Sequence, residues 1–69
     1  MVEVFVTNVE EDTHANRLVS VLSQSWPDTR ITFDLDDCDR ILRVEGNNIS
    51  SGGIITMIES FGWSCRVLE

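Results

Sequence analysis

The side chains best suited to chemistry are concentrated in one short stretch, residues 10–14. Three consecutive acids, Glu10, Glu11 and Asp12, precede His14, which is the only histidine of the chain. Carboxylate oxygens and imidazole nitrogens bind divalent ions such as zinc, and carboxylates also attract cationic partners. Because Glu11 and His14 are three residues apart, they can share one face of a helix and hold an ion between them.

The same acids also have an ordinary structural explanation. Acidic residues in the first turn of a helix are favoured by the helix dipole, each by about 0.3–1 kcal/mol. Asp12 or Thr13 is of a residue type that caps a helix start. The stretch therefore predicts the beginning of a helix, and it leaves open whether these acids also face a metal or a partner.

A second acidic group, Asp36, Asp37 and Asp39, surrounds Cys38. It is a polar turn between two alternating segments, as expected for the tip of a β-hairpin. No serine or cysteine is evident as a nucleophile partner for His14, so the sequence predicts a domain that is not an enzyme.

The elements that must position these residues follow from the periodicity of the apolar side chains. Period-two alternation predicts strands, and apolar residues spaced by three or four predict helices. These patterns predict, in chain order, strand 2–9, helix 12–25, strands 30–35 and 40–45, helix 50–61 and strand 63–68. This order predicts an α+β, ferredoxin-like βαββαβ sandwich. Its four antiparallel strands are expected in the order 4-1-3-2, with both helices on one face.

This topology brings three loops to one end of the sheet, namely the first strand–helix turn, the hairpin tip and the turn before the last strand. We therefore expect an acidic pole, defined as Glu10, Glu11, Asp12, Asp36, Asp37 and Asp39, with His14 and Trp63 close to it. The residues predicted to bind a partner are Glu10, Asp12, Asp36, Asp37, Asp39 and Trp63.

Four segments together carry a family resemblance. FVTNV forms the predicted first strand, and DTHANRLVSVL the first helix. ITFDLDDCDRILRVEG forms the middle hairpin, and IITMIESFGWSCRVL the second helix with a closing glycine-aromatic strand. These segments resemble the corresponding parts of the heavy-metal-associated domains, the copper- and zinc-handling modules of metallochaperones and metal-pumping ATPases. The resemblance covers nearly the whole chain and implies the same ferredoxin-like fold.

The metal motif of that family, a C-x-x-C pair after the first strand, is missing here. In an ungapped comparison its two cysteines fall on Glu11 and His14. Copper(I) selects soft sulfur ligands, which a carboxylate and an imidazole replace poorly. The resemblance therefore implies a domain that has lost its soft-metal site and has no cofactor. Glu11 and His14 remain candidate ligands for a weakly bound divalent ion such as zinc.

Composition limits the remaining possibilities. The 69 residues suffice for one domain, taken as 1–69, and carry a net charge of −7. Such a charge disfavours nucleic acid and favours a protein partner with a basic surface. Apolar runs are too short to cross a membrane, and the start lacks the features of a signal peptide. We expect a cytoplasmic protein without a membrane contact.

The resemblance also predicts which side of the first strand is buried. It points Phe5, Thr7 and Val9 toward the helices, although simple alternation would permit the reverse. The open face of the sheet would then carry a patch of apolar residues that could form a homodimer, namely Val2, Val4, Val6, Ile41 and Leu68.

The two cysteines are expected to be free thiols. Cys38 lies in the acidic turn and is expected to be exposed, whereas Cys65 alternates with core positions and is expected to be buried. A disulfide between them is not expected. It would have to span more than roughly 7 Å, the upper limit for the distance between the Cα atoms of two linked cysteines.

Three functions are compatible with these observations. The first is a protein-interaction or regulatory module with a degenerate metal site. The second is a zinc- or nickel-binding or metal-trafficking protein that uses His14, Glu11 and the turn 36–39. The third, a small-ligand sensor of the same topology, is less favoured because no glycine-containing ligand turn follows the first strand.

Overall fold

A computed structural model describes residues 1–68 and contains the six predicted elements in the predicted order. The strands are β1 (Val2–Thr7), β2 (Arg30–Asp34), β3 (Ile41–Glu45) and β4 (Cys65–Val67). The helices are α1 (Asp12–Ser25) and α2 (Ser51–Ser60). The strands form one antiparallel sheet in the order β2-β3-β1-β4, which confirms the predicted ferredoxin-like topology. No helix within residues 1–68 is long and apolar enough to cross a membrane.

The core lies between the helices and one face of the sheet. Phe5 is fully buried in the central strand β1, and its neighbours across the ladders are Leu42 in β3 and Val67 in β4. The apolar stripes of α1 and α2 cover these side chains. The buried apolar residues are Phe5, Val9, Ala15, Leu18, Leu22, Ile31, Leu42, Val44, Ile54, Ile58 and Cys65.

The orientation of β1 agrees with the family resemblance. Phe5, Thr7 and Val9 are buried under the helices, and the alternate residues therefore point to the open face. The cross-strand register adds Ile41 opposite Val6 to that face. Val2 and Leu68 are 47% and 43% exposed, so the apolar patch predicted for the open face is present.

The register also places three arginines on the open face, which the sequence analysis did not anticipate. Arg43 lies opposite Val4, and Arg66 lies opposite Val6. Arg30 and Val2 both lie opposite Glu45. Because the chain has only five basic residues besides its histidine, the open face holds most of its positive charge.

Both ends of α2 are formed by residue types that usually end helices, Ser50 at the start and Gly62 after the last turn. Ser50 is the N-cap, and its hydroxyl accepts a hydrogen bond from the Gly53 N–H at 3.1 Å. At the other end Gly62 adopts a φ of +94°, a conformation that favours glycine. The Gly62 N–H donates to the Glu59 carbonyl and the Trp63 N–H donates to the Ile58 carbonyl, which is the Schellman arrangement.

α1 begins at Asp12 as predicted, but its N-cap differs from the prediction. The N-cap is Glu11, so the expectation that Asp12 or Thr13 caps the helix is wrong. The Glu11 side chain makes no capping hydrogen bond, although its carbonyl accepts the first helical bond from the Ala15 N–H at 3.0 Å. The capping position is therefore one residue earlier than the usual cap types suggest, and the Glu11 carboxylate is left available to other partners.

Candidate functional site

Three loops meet at one end of the sheet, as the topology requires. The side-chain Oδ1 of Asn8, in the β1–α1 loop, accepts a hydrogen bond at 2.8 Å from the Ser64 N–H in the turn before β4. The Thr7 N–H at the end of β1 donates to the Arg40 carbonyl of the hairpin at 3.3 Å. These contacts join residues that are 56 and 33 positions apart in the chain.

Thr7 supports this junction from inside the core. Its side chain is buried, and its hydroxyl donates to the Arg40 carbonyl at 2.7 Å. The same hydroxyl accepts a hydrogen bond from the Val9 N–H at 3.3 Å. A buried hydroxyl without partners would be costly, so these two bonds explain a polar residue at a core position.

Arg40 organises the hairpin tip, a role that the sequence analysis missed. Its Nη1 donates to the carbonyls of Leu35 and Asp37, each at 3.1 Å. Its Nη2 lies 3.9 Å from Oε1 of Glu10. Its backbone has a φ of +48°, a left-handed conformation that is strained for a residue with a side chain. The signal in the sequence was that Arg40 is the only basic residue within the acidic turn 36–40.

The carboxylates of the acidic pole all belong to exposed residues. Glu10 is the one that pairs with Arg40, and its side chain is 74% exposed. In the hairpin tip Oδ1 of Asp37 accepts a hydrogen bond from the Asp39 N–H at 2.8 Å, which shapes the turn. Six exposed carboxylates are therefore accompanied by one guanidinium, which pairs with Glu10, and the pole presents a concentrated negative charge to the solvent.

Glu11 and His14 lie side by side on the first turn of α1. Nδ1 of His14 is 3.7 Å from Oε2 of Glu11, beyond hydrogen-bond length but close enough for the two to share an ion. The His14 ring packs against the Trp63 ring, with centroids 4.9 Å apart at an angle of 44°. Trp63 is therefore adjacent to the candidate metal ligands, as the sequence predicted.

The hairpin tip provides a second set of ligand atoms. Asp37, Cys38 and Asp39 each place one donor atom within 4.8 Å of the others, and all three are exposed. Neither Glu11 nor His14 belongs to this group in the part of the chain that the structure describes. The metal function predicted from the sequence uses His14, Glu11 and the turn 36–39 together, whereas the structure groups Asp37, Cys38 and Asp39 without Glu11 or His14.

The two thiols differ in their surroundings, and both are free as expected. Cys38 is exposed in the acidic tip, whereas Cys65 is buried at 7% exposure. Burial, aided by the nearby carboxylate of Glu59, raises the pKa of the Cys65 thiol to about 11. Cys65 therefore stays protonated at neutral pH and behaves as a small apolar core residue.

Comparisons with protein-family models, with curated proteins and with solved structures found no significant match. The fold and the contacts at the acidic pole therefore carry the functional argument.

Proposed function

We propose that this chain is a non-catalytic domain of the heavy-metal-associated type that lacks the soft-metal site and binds a basic protein surface through its acidic pole. The observation that carries the proposal is the arrangement at the junction of the three loops. Glu11 and His14 stand where the domains that the chain resembles have thiolates, and exposed carboxylates lie on the neighbouring loops at the same end of the sheet. The cytoplasmic location and the absence of catalysis remain predictions that accompany this proposal.

The geometry of the pole supports recognition by charge. Its carboxylates are held on short loops that are tied to the sheet by the Asn8–Ser64 and Thr7–Arg40 hydrogen bonds. A partner therefore meets carboxylates whose backbone is held in place, which lowers the entropy lost on binding. Clustered like charges also repel each other, so the pole is unfavourable for stability in the absence of a partner.

The test is an affinity capture from the organism of origin with three forms of the domain. The pole variant carries Asp36→Asn, Asp37→Asn and Asp39→Asn. Its matched control carries Glu3→Gln, Asp28→Asn and Glu59→Gln, which remove the same charge elsewhere. We expect a basic protein that the wild type and the control retain, and that the pole variant and high salt release. Equal recovery on all three forms would contradict the proposal.

A second candidate function is binding of zinc or nickel, and the proximity of Glu11 and His14 favours it. Two ligands leave an ion's other positions to water or to a partner, so the affinity would be modest. The adjacent Trp63 provides the measurement, because an ion at His14 should change its fluorescence. Trp26 lies at the far end of the 14-residue helix α1, roughly 20 Å along its axis, and adds a background signal that does not report on His14.

The metal titration uses the variant Trp26→Phe, in which Trp63 is the only tryptophan. Saturable quenching by zinc in the micromolar range that is lost in His14→Gln and Glu11→Gln would support the metal function. If quenching persists in both variants but disappears in Cys38→Ser, the ion binds the hairpin tip instead. No saturable response would remove metal binding from consideration.

The open sheet face supports a further part of the proposal, a homodimer. In its apolar patch Val2 and Leu68 are exposed, and Val4, Val6 and Ile41 are half-buried beside Arg43 and Arg66. Sedimentation equilibrium should show a concentration-dependent dimer that Val4→Arg weakens. A monodisperse monomer at millimolar concentration would exclude the dimer and leave the open face to another partner.

A further inference from the structure

The outer edge of β2 has no neighbouring strand, and a groove runs along it. β2 is an edge strand, and its five residues pair with β3 in continuous register without a bulge. The opposite edge strand, β4, has only three residues. Long, regular edges readily accept another strand, and short ones do so poorly. β2 is therefore the edge of this sheet that is better suited to strand addition.

The hydrogen-bond alternation shows which groups of β2 are free. The Gly46 N–H donates to the Met1 carbonyl and the Thr7 N–H to the Arg40 carbonyl, so the even-numbered residues of β3 bond to β1. Its odd-numbered residues then bond to β2 through Arg30, Thr32 and Asp34. The N–H and C=O groups of the two remaining residues, 31 and 33, point away from the sheet. No loop or helix within residues 1–68 donates to them or accepts from them.

A groove of about 470 Å³ runs along this edge, between β2 and α1. Helix α1 contributes Asp12, Ala15 and Val19 to it, and the other wall is formed by residues 31–36. Val19 and Leu35 are only partly buried there, so the groove has apolar surface to offer. Its ionisable residues are Asp12, Asp34 and Asp36, and no arginine lines it.

We infer that this groove binds an extended basic peptide, which adds to β2 as a fifth strand. The free backbone groups of Ile31 and Phe33 would bond to the peptide main chain, as in other cases of β-augmentation. Because side chains alternate along a strand, one set would contact Ala15 and Val19. The other set of peptide side chains would lie on the open face of the sheet, next to Asp34. Arg30 lies on the same face of β2 as Asp34, at the opposite end of the strand. Asp12, Asp34 and Asp36 line the groove without an arginine, and they select basic residues in the part of the peptide beside them.

The inference rests on the proposed function, because Asp12 and Asp36 belong to the acidic pole. It goes further by specifying the partner as an unstructured or strand-forming basic segment instead of a folded surface. It also shifts part of the binding site from the hairpin tip to the edge of the sheet.

The test uses an acetylated and amidated heptapeptide of alternating lysine and valine, with a glutamate–valine peptide as the control. Binding to the ¹⁵N-labelled domain should protect the Ile31 and Phe33 amides from hydrogen exchange by roughly tenfold or more at saturation. The amides of β4 should not change. N-methylation of one alternating set of peptide residues should abolish binding, and N-methylation of the other set should have little effect, because a strand bonds its neighbour through every second residue.

Two double variants with the same loss of charge separate the groove from the rest of the pole. Asp34→Asn with Asp36→Asn should weaken binding of the lysine–valine peptide by roughly fivefold or more. Asp37→Asn with Asp39→Asn should weaken it much less. Both pairs are exposed, so the fold is expected to survive, and the amide spectrum verifies it.

The outcomes distinguish this inference from the proposed function. If the peptide perturbs the hairpin tip, and the Ile31 and Phe33 amides stay unprotected, the inference is wrong while recognition by the pole gains support. If the peptide does not bind at all, the inference is also wrong, and the capture experiment alone decides the proposed function. Protection of both amides, with the N-methyl pattern and the charge dependence described above, would support the inference even if no folded partner is captured.

Discussion

The apolar core and the acidic pole are held together in different ways. In the core, side chains such as Phe5 and Ile58 are fully buried, and their contacts come from every element of the sandwich. At the pole, the loops are joined by a few hydrogen bonds to backbone carbonyls, and the charged side chains point into the solvent. The core therefore determines stability, whereas the pole can change its side chains with little effect on the fold.

This difference indicates where function can reside. A cluster of exposed carboxylates contributes nothing to packing and repels itself, so packing gives no reason for its presence. Residues that bind or catalyse often cost stability for the same reason. The following predictions test the separation between core and pole, from the largest expected effect to the smallest.

Phe5→Ala should lower the free energy of unfolding by about 3–5 kcal/mol, because it leaves a large cavity in the core. Val2→Ala, on the same strand but 47% exposed, should cost less than about 1 kcal/mol. Urea denaturation followed by tryptophan fluorescence measures both. Similar losses for the two variants would show that the open face is as well packed as the core.

Alkaline pH should destabilise the protein through Cys65. The unfolded thiol loses its proton near pH 9, whereas the folded thiol keeps it until about pH 11. Stability is therefore unaffected below pH 9 and falls as the pH rises to 11, by about 1.4 kcal/mol per pH unit and by about 3 kcal/mol in total.

Few other groups titrate in this range, since the chain has no lysine and no tyrosine. Cys65→Ala should therefore show a nearly flat stability between pH 9 and 11, measured by urea denaturation at each pH. Cys38→Ser should keep the pH dependence of the wild type. A pH dependence that persists in Cys65→Ala and vanishes in Cys38→Ser would contradict the assignment.

Arg40→Ala should cost about 1–2 kcal/mol, because it removes the hydrogen bonds to the carbonyls of Leu35 and Asp37. Arg40→Gly removes the same bonds but fits the left-handed φ of +48°. It should therefore be about 1 kcal/mol more stable than Arg40→Ala. Thermal unfolding of the two variants gives the difference, and a less stable glycine variant would show that the backbone is unstrained there.

Neutralising two pole carboxylates, Asp36→Asn with Asp39→Asn, should raise stability by about 0.5 kcal/mol at low salt. The gain should disappear near 1 M salt, where the screening length is about 3 Å. The control Asp28→Asn with Glu59→Gln removes the same charge outside the pole and should give a smaller gain. A loss of stability in the pole variant would mean that these acids are structural.

Much of the fold could be predicted from local patterns. Alternation in residues 30–35 and 41–45 indicates the hairpin, and the Ser50 and Gly62 positions bound α2, because capping depends on neighbouring residues. The N-cap of α1 was harder to predict. Asp12 and Thr13 are better capping residue types than Glu11, but the chain enters the helix at Glu11 without a side-chain cap.

The candidate site was predictable in location but not in detail. The topology placed Glu10, His14, the hairpin tip and Trp63 at one end, and the His14–Trp63 and Glu10–Arg40 contacts agree with this. The role of Arg40 could not be predicted from neighbouring residues. Its side chain bonds to the carbonyls of Leu35 and Asp37, which face it only after the hairpin has formed. The separation of the two ligand groups likewise depends on distances between loops.

By itself the sequence determined the order of the elements, the negative charge and the absence of a C-x-x-C pair after the first strand, because these depend on residue type and on spacing along the chain. Only the tertiary structure decided which groups meet. The carbonyl of Arg40 reaches Thr7, three arginines share the open face, and the free backbone groups of Ile31 and Phe33 lie beside an acidic groove. Each of these is set by strand register, which joins residues far apart in the chain and leaves little local trace in their types.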